Sequence, residues 1–304
     1  MRLALWLALT SSVALVASPA QPTFRAGVDL VTFGVTAVDK RGNLLTDLTQ
    51  ADFEVIEDGI PQRIAHFTRG DGDASEVTTH LGLMLDGSGS MENDLKMART
   101  AAIKFLNLLP DAEDITLVDF DTEVRVTRYP QRDFARLVER IRMRKAEGFT
   151  AFYDALGVYL DGASRQDGRT ILVMYTDGAD SRSNLRFGDL MDLLKASHVT
   201  VYAVGLVEHA GRQRSELTMR LRQIVEATGG EAFFPAALDD LDASYAKVLA
   251  EIHAQYQIGY QSSNPAQDGA WRKVEIRLKS DSSHRNVKLR SRKGYFAPYK
   301  EIQR

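Results

Sequence analysis

Leu81-Gly82-Leu83-Met84-Leu85 runs directly into Asp86-Gly87-Ser88-Gly89-Ser90-Met91, and a helical pattern follows from about residue 95. An unbroken apolar run of strand length, closed by a Gly-rich polar turn, predicts a strand buried on both faces, as in a parallel sheet covered by helices. Apolar runs at 115–120, 170–175 and 199–206 predict three more strands of the same kind. Segments 95–109, 134–142, 151–163, 187–197, 216–228 and 240–255 carry helical patterns between and after them. A strand at 124–129 follows its predecessor through a tight Asp121-Thr122 turn, which predicts an antiparallel edge. From residue 80 to 254 the alternation therefore predicts an α/β, doubly wound, mostly parallel sheet with helices on both faces.

Outside this stretch the pattern changes. Residues 27–67 alternate with a period of two and turn at Asp39-Lys40-Arg41-Gly42 and Glu57-Asp58-Gly59, so residues 21–75 read as a short β-rich module ending in a linker. The linker, Arg69-Gly70-Asp71-Gly72-Asp73-Ala74-Ser75, contains an Arg-Gly-Asp tripeptide, but its polar, Gly-rich composition already accounts for it. Alternation returns over 256–298, with Val274, Ile276 and Leu278 on one face and Lys273, Glu275, Arg277 and Lys279 on the other. Val287 and Leu289 repeat the pattern opposite Lys288 and Arg290. The eleven Lys and Arg between Trp271 and Arg304, against three acids, are read as a solvated strand face rather than a polyanion surface. Because β-rich segments flank the α/β stretch, they are expected to pair into one sandwich with the α/β domain (80–254) inserted.

The first twenty residues read as a secretory signal peptide. Met1-Arg2 is a positive start, 3–17 is an apolar run shorter than the roughly 20 residues of a membrane span, and Ser18-Pro19-Ala20 offers small residues for cleavage before Gln21. An uncleaved anchor is the alternative. No later segment is apolar enough to span a bilayer, so a secreted or periplasmic protein with no membrane span after cleavage is expected. The 304 residues hold 44% hydrophobic and 26% charged residues, enough for a sizeable core. A net charge of −3 gives no field that would favour nucleic acid. The absence of cysteine excludes disulfides, thiolate metal sites and thiol catalysis, leaving oxygen and His ligands.

Asp86, Ser88 and Ser90 fall on the loop at the carboxyl end of the 81–85 strand, where open α/β sheets bind ligands. Thr150, in Gly148-Phe149-Thr150-Ala151, starts a predicted helix, and Asp177, in Tyr175-Thr176-Asp177-Gly178, ends another predicted strand. All five oxygen-bearing side chains can converge on one edge. Two carboxylates match the charge of a divalent cation while neutral hydroxyls add ligands without charge, a hard-oxygen set suited to Mg²⁺, with Mn²⁺ as a substitute. Such an ion stays electrophilic enough to accept a carboxylate from outside.

Taken together, these elements resemble the von Willebrand factor type A domain family, whose metal-ion-dependent adhesion site carries Asp-x-Ser-x-Ser, a Thr and an Asp on three successive loops. Asp86, Ser88 and Ser90, then Thr150, then Asp177 stand in that order and spacing. The resemblance implies that the two Ser bind Mg²⁺ directly, that Thr and the two Asp bind it directly or through water, and that an Asp or Glu carboxylate of a protein ligand completes the shell. The flanks, Asp52-Phe53-Glu54-Val55 with Glu57-Asp58-Gly59 and Lys293-Gly294-Tyr295-Phe296-Ala297-Pro298, are similar to bacterial exported members with a β-rich segment before the domain. Two positions depart from the family pattern. Gly87 stands where Thr or Ser is common, and Phe149, standing where Gly is common, is expected to crowd the Thr150 loop.

Other chemistries fit less well. An aspartyl-phosphate enzyme needs a second Asp two positions after the nucleophile, and Ser88 is there instead. Ser88 is not in a Gly-x-Ser-x-Gly elbow, the six His show no paired metal spacing, and no Gly-rich phosphate loop is present. Asp180 and Glu92-Asn93-Asp94 are read as exposed helix-start acids near the metal edge. The sequence thus points to a non-enzymatic, exported, Mg²⁺-dependent protein-binding module. A metal-assisted hydrolase and an envelope scaffold with a vestigial metal site are the alternatives.

Overall fold

The computed structural model describes residues 30–69, 78–107, 112–280, 282 and 286–299. The expected signal peptide, its cleavage site and linker residues 70–75 lie outside the described residues.

Six strands build the central sheet: β5 (Thr79–Asp86), β6 (Asp114–Phe120), β7 (Val124–Pro130), β8 (Arg169–Thr176), β9 (Thr200–Gly205) and β10 (Ala232–Phe233). Their spatial order is β10-β9-β8-β5-β6-β7, parallel except for β7, the expected antiparallel edge. Alternate residues of β5 supply two different cores. Leu81, Leu83 and Leu85 pack beneath α1 (Leu95–Asn107), α2 (Phe134–Met143) and α6 (Leu238–Ala254). Met84 faces the other way, toward α3 (Phe152–Ala163), α4 (Phe187–Ala196) and α5 (Arg214–Thr228). A strand with apolar residues at every position is stable only between two such layers, which is why its sequence does not alternate. Two differences from the sequence reading are local: β10 is too short to leave a periodic signal, and α5 starts at Arg214 because the 3₁₀ turn Gly211–Gln213 leads into it.

The flanking segments form a sandwich. One sheet has the order β13-β1-β11-β4 and the other β14-β12-β2-β3, so each contains strands from both ends of the chain. These are β1 (Val31–Val38), β2 (Phe53–Glu57), β3 (Ile60–Gln62), β4 (Ile64–Thr68), β11 (Tyr256–Tyr260), β12 (Trp271–Leu278), β13 (Lys288–Arg290) and β14 (Gly294–Phe296). Phe33, Val35, Phe53, Val55, Tyr256, Ile258, Val274 and Ile276 share its core. Tyr256 adds a polar handle, its hydroxyl donating to Leu45 O at 2.8 Å and accepting from Leu48 N at 3.1 Å.

The solvated face expected of the C-terminal cations holds for Lys273, Arg277 and Lys288 and fails for three arginines. Arg272 is buried and paired with Asp268 at 2.8 Å. Arg290 reaches into the α/β part, pairing with Glu231 and, at 2.6 Å, with Glu251 of α6. Arg292 lies 4.4 Å over the Phe33 ring and donates to Thr32 O at 2.8 Å and to Ser197 O at 3.2 Å. The β12 face of Lys273 and Arg277 meets water, whereas Arg290 and Arg292 meet the α/β part, so alternation separates the faces of a strand without identifying what covers each position.

Candidate metal centre

The register of the parallel ladder sets the site. Asp86 pairs with Phe120 and Leu85 with Tyr175, so the ends of β5, β6 and β8 lie abreast and their loops leave from one edge. Asp86, the last residue of β5, is fully buried. Its Oδ1 accepts from Ser88 N at 2.9 Å and from Ser88 Oγ at 2.6 Å, and its Oδ2 accepts from Thr176 Oγ1 at 2.6 Å. Ser88 Oγ lies 3.0 Å from Ser90 Oγ. Ser88 is buried and Ser90 is exposed, so the hydroxyl pair leads from the protein interior to solvent.

The second and third loops are tied to the first through backbone. Gly89 N donates to Gly148 O at 3.1 Å, and Ser181 N and Arg182 N donate to Thr150 O at 2.9 and 3.0 Å. Thr150 N donates in turn to Ser181 Oγ at 3.1 Å. Gly148 has φ +77, and a Cβ there would stand 2.4 Å from Thr122 Oγ1, so this turn requires glycine. Asp177 Oδ1 accepts from Ala179 N at 2.8 Å, which orients its carboxylate at the end of β8.

Burial pushes the Asp86 carboxyl up to about 7, and the Asp177 charge acts in the same direction against the lowering effect of the Ser88 and Thr176 hydrogen bonds. A buried carboxyl whose ionisation a second carboxylate opposes is a setting that a divalent cation relieves. The donor set is compatible with such an ion. Adjacent ligands of an octahedron with arms of about 2.1 Å lie about 3.0 Å apart, and Ser88 Oγ and Ser90 Oγ have that separation. Among the described residues no group of three or more His, Cys, Asp or Glu could hold a metal; this set has two carboxylates and otherwise hydroxyls.

Several neighbours were not anticipated. Thr176 precedes Asp177 and holds the second oxygen of Asp86, a role that only the register reveals. Asp94 is buried rather than exposed, accepting from His209 Nδ1 at 3.0 Å across the loop after β9. Asp180 Oδ1 accepts from Tyr153 N at 3.2 Å, closing the first turn of α3. Phe149 is 63% exposed with its amide held by Thr122 Oγ1 at 2.9 Å, so it forms an apolar rim instead of packing into the Thr150 loop.

A doubly wound sheet with an Asp-x-Ser-x-Ser turn at its carboxyl edge, backed by Thr and Asp loops, defines a class of α/β domain. Residues 81–179 match the family model described as von Willebrand factor type A domain. No curated protein matches the chain. Among solved structures it is similar to the PilB minor pilin from Streptococcus sanguinis, at 13% identity and a TM-score of 0.49, over 60% of this chain and 63% of the pilin, less than two thirds of that protein's length. It is also similar to a von Willebrand factor type A protein from Catenulispora acidiphila (14% identity, TM-score 0.47, 84% of this chain and 76% of that one). A third is the vWF domain of a type V pili tip protein from Porphyromonas gingivalis (12% identity, TM-score 0.47, 58% and 96%). Likeness at this level carries no activity across.

Proposed function

We propose that the chain is an exported, adhesion-type protein-binding module. In this reading Asp86, Ser88, Ser90, Thr150 and Asp177 hold Mg²⁺, or Mn²⁺ in its place, and an Asp or Glu carboxylate of a partner protein completes the shell. The observation that carries it is the Ser88–Ser90 hydroxyl pair, 3.0 Å apart, beside a fully buried Asp86 whose charge is opposed by Asp177. When bound, the ion supplies a Lewis-acidic position for an outside carboxylate. The chain's own residues do the rest. Asp86 and Asp177 offer two charges, equal to the ion's. Ser88 and Ser90 offer neutral oxygens, and Thr176 keeps the Asp86 carboxylate from rotating.

A hydrolase would need a base on a nucleophile. The carboxylate that Ser88 Oγ touches is Asp86, which this reading gives to the cation, and His209 is turned to Asp94. Export is supported by the character of residues 1–20, and among the described residues no helix is long and apolar enough to cross a membrane.

The test is the melting temperature of the chain in chelator and in millimolar Mg²⁺ or Mn²⁺, beside Asp86→Ala. A metal-dependent rise that the variant loses is expected, followed by Mg²⁺-dependent capture of a partner from an extracellular fraction. An equal rise in both proteins, or none in either, would overturn the assignment.

A further inference from the structure

The space beside Gly87 is already filled. Arg144, the residue that follows α2, is only 8% exposed, and its guanidinium lies against the Gly87 backbone. A Cβ on Gly87 would stand 2.2 Å from Arg144 Nε and 2.7 Å from both Cζ and Nη2. No side chain fits at 87 while Arg144 keeps its place. Arg144 is itself fixed from several directions. Its Nη2 donates to Asp121 Oδ2, its Nε lies 3.8 Å from Asp119 Oδ1, and its carbonyl accepts from Arg99 Nη1 at 2.9 Å.

Both groups that the guanidinium touches are backbone anchors of the site. Gly87 N donates to Phe120 O at 2.8 Å, and Gly87 O accepts from Glu147 N at 2.9 Å, three residues before Thr150. Asp121 O accepts from Ala151 N at 2.8 Å, directly after Thr150. The guanidinium is therefore wedged between the turn that carries Asp86, Ser88 and Ser90 and the turn from which the Thr150 loop hangs.

We propose that Arg144 is a positioning residue for the cation site: its guanidinium takes the space of a side chain at 87 and fixes the distance between the Asp86–Ser90 turn and the Thr150 loop. The inference rests on the cation reading above. Gly87 and Arg144 form one unit in which neither can be changed alone. A lysine cannot replace Arg144, because an ammonium lacks the flat fork that lies along a peptide while reaching a carboxylate.

The test is Mn²⁺ binding to the full chain, read by electron paramagnetic resonance of free and bound ion, with melting in chelator as a control for folding. Residues that support metal ligands typically change affinity about 10–100-fold. Gly87→Ser is expected near the upper end of that range, since its hydroxymethyl collides with the guanidinium. Arg144→Ala and Arg144→Lys are expected near the lower end. Asp121 keeps a partner in Arg144→Ala, because Arg125 Nη2 also donates to it, at 2.8 Å. The double variant Gly87→Ser/Arg144→Ala, which relieves the collision and refills the space, should bind more tightly than either Gly87→Ser or Arg144→Ala, a non-additivity expected only of a coupled pair. It also keeps the test open if one of those singles fails to fold, because a double variant that folds and binds supports the pairing. Unchanged affinity in the singles, or a double variant as weak as the product of its parts, overturns the role of Arg144 and leaves the cation reading intact. A parent chain that binds no Mn²⁺ overturns both.

Discussion

Asp86 at the edge of the α/β sheet and Glu57 in the core of the sandwich are two buried carboxylates held by hydroxyl groups in different surroundings. Glu57 Oε2 accepts from Tyr260 OH at 2.7 Å and from Tyr295 OH at 2.9 Å, and Ser262 Oγ donates to its other oxygen. Burial and the neighbouring Glu57 hold the Tyr260 phenol well above its usual range, so it stays a donor. Asp86 has a comparable set of donors in Ser88 and Thr176, but it also faces a second carboxylate, Asp177, and a hydroxyl open to solvent at Ser90. Hydroxyl donors make a buried carboxylate tolerable in both places. A like charge with an open side is what separates a site from a strut.

The largest effect is expected where the network is closed. Glu57→Ala leaves the Tyr260 and Tyr295 hydroxyls without their acceptor in the sandwich core, while Ser262 Oγ keeps Asn264 O at 3.3 Å, a loss of about 3–5 kcal/mol. Denaturant titration should give the same loss in Mg²⁺ and in chelator, and a metal-dependent loss would break the contrast. Next comes pH. The Asp86 carboxyl sits at about 7 through burial and then the Asp177 charge, against about 3.9 in an unfolded chain. In chelator the folded chain therefore holds a proton that the unfolded chain releases, and stability from this group falls as pH rises from about 4 to about 7. Melting curves of the parent should show this fall and those of Asp86→Asn should lack it; parallel curves would remove the argument for an opposed charge.

Mg²⁺ at a hundredfold excess over Kd should stabilise the parent by about 2.7 kcal/mol, several degrees in Tm for a chain of this size. Asp86→Ala should not respond. The smallest effect is expected at Thr176→Val, which removes one donor from Asp86 Oδ2 while keeping shape. A cost of about 1–2 kcal/mol in chelator, together with weaker Mg²⁺ stabilisation, would show that the donors serve both folding and the site. Stability lost with full Mg²⁺ stabilisation kept would confine Thr176 to folding.

What the sequence made legible follows from how local each signal is. The strands at 81–85, 115–120 and 170–175 appear as apolar runs because both faces of the sheet are covered, and Asp86, Ser88 and Asp177 are readable because they directly follow such runs. Thr176 carried no signal, since its role depends on the ladder that sets it beside Asp86. Asp94 looked like an exposed helix-start acid because its partner, His209, lies 115 positions away in the chain. Arg290 looked solvated because alternation distinguishes the two faces of a strand and says nothing about Glu231 and Glu251 arriving from elsewhere. Gly87 was visible in the sequence, while the Arg144 guanidinium that fills the space beside it, 57 positions on, became visible only in three dimensions.

Helix α6 ends at Ala254 and β11 begins at Tyr256, with only Gln255 between them. That residue is buried, its side chain lying where a Cβ on Gly34 would stand. One residue reaches at most about 3.3–3.6 Å, so the joint has almost no slack. Tyr256 is in register with Val35 of β1, and Ile258 with Phe67 of β4, so β11 is an interior strand of its sheet. A pull along α6 longer than that reach must drag or unzip β11 from both neighbours, so helix and sheet behave under load as links in series.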